Sequence, residues 1–224
     1  MIKVLQYKIL LILLINSTVV IGQDLDSLLS LVNTAKNDSL KIKHIINLAN
    51  SVLYSNNDTA NYYADIGLSI CEDYDFNKME FDLMFIKGQS FHEKSNFTKA
   101  QEIFIKAEKL AINNKDTFDI CKINNALGSI HKELTELSNY DKIENKQAQK
   151  YYLIALDYAL LINDSMVIAG CYNNVGITYM IEYEYEKGMS MWQKSLDIKL
   201  SLGLQLQAAM TMGNMAMYYR DTKE

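Results

Sequence analysis

The sequence predicts an all-α solenoid built from antiparallel helix hairpins. Three observations carry that expectation. The 224 residues include no proline, and the nine glycines are spread out, so long helices can run unbroken. Apolar side chains fall at the i, i+3, i+4, i+7 spacing of amphipathic helices between short polar turns. Small residues return at a fixed interval along the chain.

That interval is clearest when the first small residue of each unit is aligned. Ala49, Gly88, Gly128, Gly176 and Ala216 are separated by 39, 40, 48 and 40 residues. A second column reads Ala60, Ala100, Ala148 and Gly188, and a third reads Gly67, Ala107, Ala155 and Ser195. Large residues stand between them: Phe91 and Tyr179 in one column, Phe104, Tyr152 and Trp192 in another. Glycine inside a helix costs about 1 kcal/mol relative to alanine, so it marks places where a neighbouring helix comes close. One hairpin cannot bury its apolar face alone, so the units must stack.

Met1 to Gln23 reads as an export signal. Lys3 and Lys8 give a positive start, an Ile/Leu run follows, and the small and modest residues Val20-Ile21-Gly22 end it, with cleavage after Gly22. The apolar run spans 13 residues at most, short of the roughly 20 a spanning helix needs; an uncleaved anchor is the alternative. Residues 23–39 then form a leading helix, with Leu25, Leu28, Leu29 and Val32 on one face, and a turn. Repeats fill 40–224, at about 40–75, 77–114, 116–163 and 164–203, with a half repeat at 204–224. In the first, Ser55-Asn56-Asn57-Asp58 is the turn and Asp58 a candidate N-cap. In the third, eight extra residues fall within 132–147, as a longer loop or as an extension of the two helices. The Met-rich stretch Ala208–Tyr219 reads as a core helix of the stack. Its apolar character nearly all round implies either a further helix beyond Glu224 or a partner that covers it.

The formal charge of −5 and the single arginine, Arg220, give no basic footprint for nucleic acid. His44, His92 and His131 lie in different repeats, and no nucleophile–base, Gly-rich phosphate or HExxH pattern occurs, so no catalytic residue, cofactor or metal is expected. Glu182, Glu184 and Glu186 read as a solvated turn. The three cysteines show no CxxC spacing. Cys121 and Cys171 fall on neighbouring first helices, either as buried thiols or as a disulfide in an oxidising compartment.

The columns resemble the tetratricopeptide repeat. Gly176, Tyr179, Gly188, Trp192 and Ser195 stand at that family's small, large, small, large, small spacing, as do Gly88, Phe91, Ala100, Phe104 and Ala107. Gly128, Ala148, Tyr152 and Ala155 follow the same order, and Ala216 and Tyr219 open a last half repeat. The closing proline is missing throughout, and the period is 40 rather than 34, about three residues more per helix. The resemblance implies a right-handed solenoid whose first helices line a groove for a peptide or protein partner. Carried over by position, that groove exposes Gln89, His92, Asn125, Ser129, Lys132, Asn173, Ile177 and Met180. Asn125 and Asn173 would meet an extended peptide backbone or else hydrogen-bond between helices. The function implied is a non-catalytic interaction scaffold, exported to the periplasm. The leading helix and first repeat also look like the exported repeat regions of bacterial sensor kinases and helix-turn-helix regulators. That gives the alternative: the sensory front of a membrane-bound signalling protein. A solenoid binding a small molecule is a third reading.

Overall fold

The structure, a computed structural model, describes residues 25–72, 74 and 76–221. The expected export signal lies outside the described residues. All regular structure among those described is helical. The helices are α1 (25–33), α2 (Asp38–Val52), α3 (Asn57–Cys71), α4 (Asn77–Glu93), α5 (Phe97–Asn114), α6 (Thr117–Leu137), α7 (Lys142–Ile162), α8 (Ser165–Ile181), α9 (Tyr185–Ser201) and α10 (Gln205–Asp221). They fall into two compact units, 1–100 and 101–224, the boundary lying within α5.

In the first unit, α2 packs on α3 and both pack on α4. Ile42, Ile45, Ala49, Val52, Ala60, Ala64, Leu83 and Ile86 form its core, with Leu25 and Val32 of α1 laid against it. Asn37 caps α2 by accepting from Leu40 N at 2.8 Å. The cap of α3 is Asn56, which accepts from Thr59 N at 3.0 Å, and not Asp58. Asp58 sits in the first turn, where its charge favours the helix N-terminus, and it pairs with Lys94. Gly67 is a true close approach: a Cβ there would stand 2.6 Å from a methyl of Leu83 on α4.

In the second unit, α6 to α10 pack in sequence, each on the next. Two small residues lie under aromatic rings. A Cβ on Gly128 would stand 2.6 Å from Tyr152 Cδ1, and one on Gly176 would stand 2.5 Å from Trp192 Cδ1. Both rings are buried, and each contributes roughly 2–3 kcal/mol by leaving water. Ser195, also in a small-residue column, donates its hydroxyl to Ala169 O at 2.7 Å, so a polar side chain is satisfied in the core. Of the aligned small residues, Gly88, Ala100, Ala107, Ala148, Ala155 and Gly188 are buried too.

The eight extra residues of the third hairpin lengthen both helices. α6 and α7 each have 21 residues against 17 in α8 and α9, an added turn apiece. Asn145 holds that turn down. Its amide donates to Thr178 O at 3.0 Å and to Glu182 Oε1 at 2.9 Å on α8.

The C-terminal half repeat is more open than the hairpins before it. Ala216 is exposed and Tyr219 is 53% exposed, because α10 packs mainly against α9 and touches α8 through Thr211. The Met-rich helix leaves open the apolar face that a further helix or a partner was expected to cover: among its described side chains Leu206, Met210 and Met212 are exposed, while Ala208 and Thr211 are covered.

Candidate partner-binding surface

The first helices of the hairpins in the second unit are α6, α8 and α10. A polar ladder links them. Asn174 Nδ2 donates to Asn125 Oδ1 at 2.8 Å, joining α8 to α6. Asn173 Nδ2 lies 3.5 Å from Asn174 Oδ1, at the limit of a hydrogen bond. On the other side, Thr211 Oγ1 of α10 lies 3.5 Å from Asn173 Oδ1 and accepts from Lys199 Nζ at 2.8 Å. Burial without a carboxylate partner holds the Lys199 ammonium below the usual lysine range.

The ladder rests on firm ground. Trp192 Nε1 donates to the Asn173 carbonyl at 3.1 Å, which fixes the backbone of α8 over the α9 ring. Asn125 and Asn173 are both half-buried. They occupy equivalent repeat positions, yet the amide that reaches Asn125 is that of Asn174. Contacts between neighbouring first helices are thus offset by one position from the repeat register.

The other positions carried over from the repeat pattern differ in character. Ser129 Oγ is 3.3 Å from the Tyr152 hydroxyl, whose pKa burial pushes up to about 12. Lys132 pairs with Glu136 at 2.9 Å along α6. Ile177 is half-buried. Met180 turns toward α9, where its Cγ would lie 2.8 Å from a Cβ on Gly188, so it also fills the hairpin. Gln89 and His92 are half-buried on α4 in the first unit, with the His92 ring edge-on to Phe97 at 5.7 Å.

His131 is a packed residue. Its Nδ1 meets Glu144 Oε2 at 2.7 Å, its Nε2 lies 3.1 Å from the Gln101 amide nitrogen, and its ring stacks on Tyr151. Nδ1 donating to the carboxylate and Nε2 accepting from the amide satisfies both contacts. Nearby, burial raises the Glu108 carboxyl, opposed by a hydrogen bond with Asn124 and by Lys150. No cluster of three His, Cys, Asp or Glu side chains among the described residues could hold a metal ion. No described helix is long and apolar enough to cross a membrane.

Sequence reasoning missed Asn174, Thr211 and Lys199. None belongs to a motif, and the offset between repeats hides the first two. Lys199 is on a second helix, which the groove expectation did not include.

No protein-family model matches the chain, and no curated protein matches it. Solved structures do. BtubC from P. vanneervenii superposes with a TM-score of 0.69 at 17% identity, over 81% of this chain and 74% of that one. A signal-transduction ATPase (STAND) with a tetratricopeptide repeat sensor, from Pyrococcus horikoshii, gives 0.71 at 18% identity, over 85% of this chain. NprR in complex with its cognate peptide NprX gives 0.68 at 15% identity, over 91% of this chain. The fold is a tetratricopeptide-like helical repeat. The chain spans 29% of the ATPase and 58% of NprR, so in length it matches only part of each. In tetratricopeptide terms, the amide ladder lies on the first helices of the third, fourth and fifth repeats.

Proposed function

We propose that this chain is a non-catalytic interaction scaffold that binds a peptide or protein along the first helices of its second unit. The observation that carries the reading is the ladder Asn125–Asn174–Asn173–Thr211. It places half-buried amide donors and acceptors on α6 and α8, and the buried Thr211 hydroxyl beside them on α10. Buried or half-buried amides suit an extended backbone, which offers the same groups in reverse. The Asn125 amide nitrogen makes no hydrogen bond among the described residues, so it is a donor available to a partner. Ile177 adds an apolar contact and Lys199 a partly desolvated positive charge. The likeness to NprR, whose structure holds a peptide, supports this reading at the level of fold.

The chain is proposed to act outside the cytoplasm, on the strength of residues 1–22. A second reading, the sensory region of a larger signalling protein, is favoured by the likeness to the repeat sensor of the STAND ATPase. The test is peptide selection from a displayed library against the chain from Gln23 to Glu224, followed by titration. Asn125→Ala is expected to weaken the selected peptide about tenfold, the loss of roughly one hydrogen bond, with the helical signal intact. Equal affinity for both proteins would remove the ladder from the binding surface.

A further inference from the structure

The second unit holds a pair of cysteines that the partner surface does not use. Cys121 on α6 and Cys171 on α8 are each 3% exposed. Both belong to one apolar cluster with Ala148, Tyr152, Ala155 and Val175. Cys121 Sγ donates to Ala155 O at 3.3 Å, and both thiols are free within that cluster. One turn further along both helices, Asn174 meets Asn125 at 2.8 Å. That amide contact brings α6 and α8 together one turn from the two sulfurs. Cys71 belongs to the core of the other unit.

We propose that Cys121 and Cys171 are a redox-active dithiol that closes to a disulfide and staples α6 to α8. This inference is independent of the binding reading. The oxidant is a small-molecule disulfide of the glutathione class. The Cys121 thiolate attacks one sulfur of that disulfide; its S–S bond breaks, and one glutathione thiolate leaves. Cys171 then loses its proton, and its thiolate attacks the Cys121 sulfur of the mixed disulfide, releasing the second glutathione. Two electrons pass from the cysteine pair to the oxidant, and the two protons end on the two glutathione thiols. The same two exchanges begun at Cys171 give the same disulfide. Because both sulfurs are covered, the reaction is slow on the folded chain and fast while the hairpins assemble.

The staple closes a loop of about 50 residues, long enough to raise Tm on the order of 10 °C. The experiment refolds the reduced full chain from urea in glutathione buffers of increasing oxidised fraction. Acid quench, alkylation after denaturation and proteolysis with mass spectrometry then map the thiols. The expected result is joint loss of alkylation at Cys121 and Cys171, a linked peptide containing both, native helical signal, and a raised Tm. That Tm rise is absent in Cys121→Ser and Cys171→Ser. A Cys71→Ser chain should behave as the parent does. Full alkylation of Cys121 and Cys171 at the most oxidising ratio would overturn the proposal. So would a bond to Cys71, or a disulfide that forms only with loss of helix.

Discussion

Gly176→Ala should destabilise the fourth hairpin, although alanine is the better helix former. A Cβ at this position would stand 2.5 Å from Trp192 Cδ1 and 2.7 Å from its Nε1. The ring is 5% exposed, and its Nε1 is tied to Asn173 O at 3.1 Å, so it cannot swing aside without breaking that bond. Overpacking of this kind costs about 1–3 kcal/mol. The gain in helix propensity returns about 1 kcal/mol. The net expectation is a loss of about 1 kcal/mol. Gly170, in the same helix, is the control: a Cβ there meets nothing within 4 Å. Gly170→Ala should keep the propensity gain alone and stabilise by about 1 kcal/mol. Trp192 is the one tryptophan, so its fluorescence during urea unfolding reports this hairpin directly. The two midpoints should move in opposite directions from the parent. A Gly176→Ala midpoint at or above the parent, or a Gly170→Ala midpoint that falls as far, would refute the reasoning.

Three further outcomes follow from the same geometry. Asn145→Ala should cost about 2 kcal/mol, because it removes two donors from a fully buried site and unpins the added turn of α7; chemical denaturation measures it. Glu108→Gln should stabilise the chain at neutral pH. Burial raises this carboxyl in the folded state, so its contribution is most favourable in acid and is lost as pH rises through the folded pKa; Tm from pH 4 to 8 should fall less steeply in the variant. Expression with residues 1–22 in an exporting bacterial host should yield a chain whose N-terminal sequencing begins at Gln23, and a retained Met1 would count against export by cleavage.

The architecture was legible because the physics of close packing leaves marks in sequence. Gly128 and Gly176 are tolerated in helices only where Tyr152 and Trp192 lie across them, so the small and aromatic columns appear together. The eight extra residues of the third hairpin could have been loop or helix. The deciding interaction, Asn145 reaching Thr178 and Glu182, joins residues more than 30 positions apart and leaves no local pattern. The turns gave weak signals for a related reason. Ser95, Lys115, Asn163 and Tyr183 take the left-handed conformation that glycine usually supplies, and only Gly203 among the described turn residues uses glycine for it. The candidate surface was half legible. Asn125 and Asn173 stood out as equivalent residues, but the pairing runs through Asn174, since register along the chain does not fix the offset between packed helices. Thr211 and Lys199 complete the ladder from positions with no sequence rhythm.

The most direct test of the proposed scaffold compares photocrosslinking from two places on the second unit. A photoreactive residue at Ile177 lies beside the amide ladder on α8; one at Leu161, 71% exposed on α7, lies on a second helix. The account predicts a saturable crosslink to a polypeptide partner from position 177, reduced by Asn125→Ala, and little from 161. Equal labelling from both positions, or labelling from 161 alone, would contradict it.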